Sequence, residues 1–323
     1  MKDAIHVENL TKDYKGLRAL DQISFQVRVG SVFGLLGPNG AGKTTTIRIL
    51  TGLTRPSSGH ASVLGFDVAR EALKAKQRIG VVPDTSNVYE ELTATQNLVF
   101  SAQLYGVPRT ERKPRVRELL ETFGLLERAE NRVDEFSRGM KRRLTIACAL
   151  VHKPELLFLD EPTTGLDVQS ARQLRAMVSR LRNEGVTVFL TTHYIEEADQ
   201  LCDKVAMINR GKIVALDSPE ALKASVTGTR VVEVIFTGHP AERELELIPG
   251  VHEVYRLGDR YRLTVAGETD IVGALVNYGN RRELMIQSLN VLKPSLEDAF
   301  LRITGSTPGE DQGDKTHSTR RVG

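Results

Sequence analysis

Apolar residues in this chain fall into short runs, unbroken or alternating, separated by longer stretches with helical spacing. The runs predict strands over residues 5–10 and 23–27, then a fully apolar strand over Val32–Leu36 that meets a glycine-rich turn. A helix is expected from about residue 43 to 53. A short strand follows at Ile79–Val82, and residues 92–126 read as helix interrupted at Gly106, Val107 and Pro108. Further buried strands are expected at 156–159 and 186–191, with the clearest helix, 170–183, between them. Strands alternating with helices imply a mostly parallel sheet covered by helices, an α/β core.

The pattern changes near residues 224–229. Short strand-like runs follow at 231–236, 251–257 and 261–265, then a helix near 271–278, a strand at 284–289 and a last helix from Ser295. Ser295 and Asp298 fit a capping box, and Leu296, Ala299, Phe300 and Ile303 share one helical face. This predicts a separate small α+β domain over 225–303. From 304 to 323 apolar side chains are nearly absent, so a disordered tail is expected there.

Composition narrows the function classes. The 323 residues are 40% hydrophobic and 26% charged, ordinary for a folded globular chain. No run approaches the roughly 18 apolar residues of a membrane helix. The first ten residues show no apolar core behind a basic start, so no secretory leader and a cytoplasmic location are expected. Lys+Arg 44 against Asp+Glu 41 argues against a nucleic-acid partner. Cys148 and Cys202 have no companion at zinc spacing and read as reduced structural thiols.

Candidate chemistry begins after Val32–Leu36. Gly37, Pro38, Asn39, Gly40, Ala41, Gly42, Lys43 and Thr44 fit G-x-x-x-x-G-K-[ST], between a buried strand and a helix. The glycines let successive N–H groups turn toward phosphate oxygens, and the helix start adds its positive end. Lys43 is placed to reach the β- and γ-phosphates and Thr44 to ligate Mg²⁺, with Thr45 beside it. The strand at 156–159 ends in Asp160 and Glu161, at the carboxyl edge where parallel sheets bind ligands. Asp160 fits a Mg²⁺ role and Glu161 that of a general base.

With these motifs the chain resembles the ATP-binding subunits of ABC transporters. Phe136, Ser137, Arg138, Gly139 and Met140 look like the family's Leu-Ser-Gly-Gly-Gln signature, with Arg138 replacing a Gly and Met140 a Gln; the form resembles the ABC-2-type exporter branch. Ser137 can cap the following helix, and Gly139 lets phosphate approach its backbone. The resemblance implies that Ser137, Arg138, Gly139, Met140 and Asp167 touch ATP held by the opposite subunit. It also implies that His193 contacts the γ-phosphate and positions Glu161. Tyr14 resembles the aromatic that stacks on adenine, or is an ordinary edge aromatic. Asp84 stands where most cassettes carry a Gln that meets Mg²⁺; it is a metal ligand or a turn-forming Asp after Pro83. The basic residues Arg138, Lys141, Arg142 and Arg143 read as a solvated helix face near phosphate. The segment from Pro294 to Leu301 resembles the accessory domain of daunorubicin-resistance-like ATPases.

The implied fold is a P-loop ABC ATPase core over 1–222, with an N-terminal antiparallel β portion and a helical subdomain at about 88–145. The implied function is ATP hydrolysis, with Mg²⁺, by a dimer (of this chain or with a related cassette) that holds two ATP and drives ABC-2-type permease subunits. The chain would then be peripheral on the cytoplasmic face of the membrane. The competing reading is a soluble ABC ATPase acting on ribosomes or nucleic acid. Those normally carry two cassettes, coiled coils or zinc insertions, and none is found here.

Overall fold

The computed structural model describes residues 3–225, 229–266, 270–292 and 295–305; the side chains of residues 229, 230 and 266 are not among those described. The expected disordered tail lies, from 306 onward, outside the described residues. The chain separates into two compact units, one formed by residues up to Pro219 and one by Glu220–Gly305.

In the first unit the elements run β1 (Asp3–Tyr14), β2 (Leu17–Arg28), β3 (Val32–Leu36), α1 (Lys43–Leu50), β4 (Ser58–Val63), β5 (Phe66–Asp67), α2 (Ala72–Lys76) and β6 (Ile79–Val82). The helices α3 (Ala94–Leu104), α4 (Arg109–Thr122) and α5 (Arg138–Ala149) follow. Then come β7 (Leu156–Asp160), α6 (Val168–Asn183), β8 (Thr187–Thr192), α7 (Ile195–Leu201), β9 (Lys204–Asn209) and β10 (Lys212–Asp217). One sheet has the order β10-β9-β3-β8-β7-β6, parallel from β9 to β6, with β10 antiparallel on β9. Every residue of β3, β7 and β8 is buried, as both-face-covered parallel strands require. A second, antiparallel sheet has the order β2-β1-β4-β5. Phe25 of this sheet stacks on Phe33 at 5.2 Å, and Phe33 stacks on Phe189 at 5.6 Å, so rings from both sheets form one core.

The helices end and begin where the local chemistry dictates. Thr93 and Gln96 form a capping box at the start of α3. Gly106 (φ 72°) and Pro108 separate α3 from α4, as the sequence predicts. The first helix stops at Leu50 rather than continuing to 53. Its last turn closes with the Thr51 hydroxyl bonded back to the Ile47 carbonyl at 2.8 Å. In α6, Leu174, Val178 and Leu181 line one buried face.

After α8 (Pro219–Ala224), the second unit contains β11 (Thr229–Phe236), α9 (Glu242–Glu246), β12 (Val251–Leu257), β13 (Arg260–Ala266), α10 (Ile271–Arg281), β14 (Ile286–Leu292) and α11 (Leu296–Thr304). Its antiparallel sheet has the order β12-β13-β11-β14. Val232, Val234 and Phe236 pack with Leu263, Val265, Ile271 and Leu275 in a core of its own. The Ser295/Asp298 capping box is present, and Arg262 ties β13 to α11 through Glu297 at 2.8 Å.

Candidate active site

The turn after β3 can be made only by glycine at two points. A Cβ on Gly37 would lie 2.2 Å from the Ile208 carbonyl oxygen of β9. Gly42 has φ 110°, and a Cβ there would meet the Ala19 carbonyl oxygen of β2 at 2.7 Å. The backbone therefore wraps tightly, held by Gly37 N–H donating to the Thr192 carbonyl at 3.2 Å. Lys43 is buried, and its Nζ donates to the carbonyls of Gly37 (2.7 Å) and Pro38 (3.0 Å) while pairing with Glu161 Oε1 at 3.0 Å. Asn39, Gly40 and Thr44 are exposed, and Thr45 is half-buried.

At the carboxyl ends of β7 and β8 the two acids are held differently. Asp160 is buried and accepts a hydrogen bond from the Thr191 hydroxyl at 2.5 Å. Burial raises its pKa; the Thr191 and Thr44 hydroxyls oppose the rise, and the Asp84 and Glu161 carboxylates add to it. Glu161 adopts a left-handed backbone, φ 46°, costing about 1–2 kcal/mol for a side-chain-bearing residue. Its N–H donates to the Thr191 carbonyl at 3.1 Å, fixing that turn. Burial would raise the Glu161 carboxyl, but His193 and Lys43 outweigh it and bring the pKa down to about 2. A carboxylate can only accept, so His193 Nδ1, 2.7 Å from Glu161 Oε2, carries the proton between them.

The signature segment forms a second cluster. Ser137 Oγ accepts from Met140 N–H at 3.3 Å, the cap expected of it. Gly139 lies against α6, and a Cβ there would be 2.4 Å from Ser170 Oγ. Asp167 caps α6, accepting from Ser170 N–H at 2.8 Å and from Ser170 Oγ at 2.7 Å. Arg138 is exposed beside Gly165, and Met140 is half-buried. Among the described residues, no hydrogen bond or ion pair joins Ser137, Arg138, Gly139, Met140 or Asp167 to the Lys43–Glu161–His193 group.

Tyr14 ends β1, is 42% exposed, and has Lys12 Nζ 4.9 Å from its ring centre. Asp84 accepts from Thr85 N–H at 2.7 Å, as a turn-forming Asp does, while its charge also reaches Asp160. Among the described residues, no three or more His, Cys, Asp or Glu side chains converge as a metal cage. The Thr44 hydroxyl beside Asp160, with Asp84 and Glu161 close enough to raise its pKa, is still a hard-oxygen set that suits Mg²⁺. That ion takes one or two carboxylates and completes its shell with water and phosphate.

The solvated-face reading of the basic cluster is wrong for Arg142, which is only 4% exposed and makes its hydrogen bonds inward. Lys141 pairs with Glu90 at 2.6 Å, and Arg143 donates to the Phe123 carbonyl at 3.0 Å. The signal was readable: Arg142 shares the i, i+3, i+4, i+7 stripe with Thr145, Ile146 and Ala149, all buried. Sequence reasoning also passed over Thr191, which holds Asp160. It missed Glu197 as well, a carboxyl only 1% exposed on α7, one helical turn after His193.

A glycine-wrapped phosphate loop, a strand-end acid pair and a histidine on the acid beside the loop lysine define the class: a P-loop ATPase. A family model described as "ABC transporter" matches residues 20–164, and one described as "ATP-binding protein DrrA1-3-like, C-terminal domain" matches 218–304. Linearmycin resistance ATP-binding protein LnrL of Bacillus subtilis is 39% identical over 308 residues, covering 94% of this chain and 99% of that protein. Nod factor export ATP-binding protein I of Sinorhizobium fredii is 39% identical over 310 residues, covering 94% and 86%. The structure of cbiO1 from Clostridium perfringens, part of the ABC transporter complex cbiONQ, shares 28% identity at a TM-score of 0.65 over 69% of this chain and 92% of that one. The chain belongs to the ATP-binding proteins of the ABC transporter family, ATPases whose hydrolysis is coupled to transport. No helix among the described residues is long and apolar enough to cross a membrane.

Proposed function

We propose that this chain is the ATP-hydrolysing subunit of an ABC-2-type exporter, working as a face-to-face dimer with itself or a related cassette. The observation that carries this reading is the division of the site. The phosphate loop, Asp160, Glu161 and His193 meet in one cleft, whereas Ser137, Gly139 and Asp167 form a separate group at the starts of α5 and α6. A second protomer supplies the missing half to each cleft.

In this reading the backbone of Gly37, Pro38, Asn39, Gly40, Ala41 and Gly42, with Thr45, cradles the phosphates, and Lys43 meets the β- and γ-oxygens. Tyr14 stacks on adenine. Thr44 and Asp160 would hold Mg²⁺, with Asp84 beside them, and the ion would supply neutralisation of charge on the phosphates. Glu161, ionised at neutral pH, takes the proton of the attacking water, a role typically worth about 10²–10⁴-fold. His193 orients Glu161 through Nδ1 and keeps Nε2 for the γ-phosphate. Ser137, Arg138, Gly139, Met140 and Asp167 engage the partner's ATP.

The ATP-binding domain spans 1–222, with its helical subdomain at about 88–145. The accessory domain spans 225–303. Permease subunits of the membrane receive the motion through the surface near residues 84–104, and the chain sits at the cytoplasmic face by that contact. The likeness to a Nod factor export ATP-binding protein and the DrrA-like C-terminal match support the export branch. Glu161→Gln tests the assignment. ATP binding is retained, a dimer accumulates by light scattering with MgATP, and turnover is lost; full hydrolysis by this variant rejects the role of Glu161.

A further inference from the structure

Arg142 lies on α5, little more than one turn beyond the Ser137 cap, and points into the protein. Its guanidinium donates Nε to the Pro162 carbonyl at 3.0 Å and Nη2 to the Asp160 carbonyl at 2.8 Å. Nη1 donates to the Pro83 carbonyl and, at 3.4 Å, to that of Asp84. All four acceptors are backbone oxygens. They belong to the chain leaving two neighbouring parallel strands, β6 and β7, and flank the residues assigned to metal and water: Asp84, Asp160 and Glu161.

This is an unusual use of a buried charge. Burial pulls the Arg142 pKa down, and the opposing fields of Asp160, Asp84 and Glu197 keep the cation in place without any of them hydrogen-bonding it. A buried cation contributes little net stability compared with a well-packed apolar side chain. What the guanidinium offers is a rigid planar fork of five donors, able to hold several carbonyls at fixed relative positions. Lysine, a compact three-donor head, cannot span the same set.

We propose that Arg142 is a positioning residue for hydrolysis: it binds the signature helix to the strand ends that present Asp84, Asp160 and Glu161. The inference rests on the dimer reading above and deepens it. When the start of α5 engages the partner's triphosphate, any displacement of that helix is delivered one turn later to the backbone under the chain's own acids. Each half of the molecule thereby senses whether the opposite site is filled. Arg142 touches no substrate and acts through the carbonyls it holds.

The test uses the full chain and Arg142→Gln, Arg142→Lys and Arg142→Met, with the exposed Arg117→Gln as control. Steady-state ATPase is measured against ATP and against Mg²⁺, alongside MgATP affinity and dimer formation in a Glu161→Gln background. The expected result is a kcat lower by on the order of 10²-fold in Arg142→Gln, the scale at which displacements of about 1 Å act. Affinity for MgATP stays within about twofold, and half-saturating Mg²⁺ rises, a split that general loss of fold does not produce. Arg142→Lys recovers only part of the rate. A folded Arg142→Gln with unchanged kcat and Mg²⁺ dependence overturns the proposal, provided the parent hydrolyses ATP; a parent without ATPase activity rejects the underlying function instead. Should the variants not fold, hydrogen exchange on the Glu161→Gln chain decides. ATP-driven protection at 138–143 must be accompanied by protection at 83–85 and 160–163, and protection confined to 138–143 overturns the coupling.

Discussion

At the ends of β7 and β8 the functional side chains are charged, largely buried and mutually bonded: Lys43 on Glu161, Glu161 on His193, Thr191 on Asp160. At the starts of α5 and α6 they are exposed or small, and their hydrogen bonds go to their own helices. The first region is preorganised within a single chain, where low-dielectric surroundings strengthen each contact. The second is a presenting surface whose geometry is set by caps and by the close approach of Gly139 to Ser170. In the proposed dimer, chemistry and recognition are thus separated within one protomer, and changes in the two regions should fail in different ways.

The largest effect is expected at the buried cluster. Lys43→Ala removes the cation that meets both the loop carbonyls and Glu161, and ATPase activity should fall by about 10²–10³-fold, the range for loss of one oxyanion-type donor. Colorimetric phosphate release measures this. Next comes a complementation experiment that separates the regions. Gly139→Val drives a side chain into Ser170 and should abolish turnover in a homodimer while leaving single-chain MgATP binding intact. Mixed with Lys43→Ala protomers, it should regain up to half a dimer's sites, since each hybrid keeps one intact loop facing one intact signature. Failure to recover any activity on mixing would unite the regions and break the comparison.

Glu197 sharpens it further. Burial raises this carboxyl to about 7, with the Thr192 and Thr163 hydroxyls opposing the rise and Glu161 adding to it. A folded-state pKa above the unfolded value means the native state binds the extra proton. Stability is therefore complete below about pH 4.5 and is lost as pH rises through about 7. Glu197→Gln should abolish that slope and stabilise the chain above neutrality by on the order of 3 kcal/mol, read from urea melts at pH 5 and pH 8. Glu161, held at about 2, contributes the opposite slope, lost only as pH falls through that value. The smallest effect belongs to Tyr14→Ala, which should weaken ATP affinity by about 1–3 kcal/mol while leaving saturated turnover in place. Unchanged affinity returns Tyr14 to an edge aromatic.

The chemistry was most legible where one strand or turn carries it whole. The boundaries of β3 and β6, the glycine-bound phosphate loop and the acid pair ending β7 all follow from unbroken apolar runs meeting punctuation. The strands β4, β9 and β10 were not read. Ser58–Val63 has little β propensity and is half exposed, so its pattern is weak. The β9–β10 hairpin did announce itself, with two apolar runs around Arg210 and Gly211, both at positive φ. Bulges in β1 and β2 break their alternation, which is why both strands extend beyond the ranges predicted for them. Side-chain partners such as Arg142 with Pro83, or Thr191 with Asp160, join segments far apart in the chain, and no local period encodes them.

The ring stack of Phe25, Phe33 and Phe189 has a consequence for nucleotide choice. It fastens the hairpin bearing Tyr14 to the strand that launches the phosphate loop; under the proposed stacking of Tyr14 on adenine, the stretch from base to terminal phosphate would be gauged by three aromatic side chains rather than by any group that touches the ligand. Loosening this ruler, for example with Phe33→Leu, should blur discrimination between purine and pyrimidine triphosphates before it dulls hydrolysis itself.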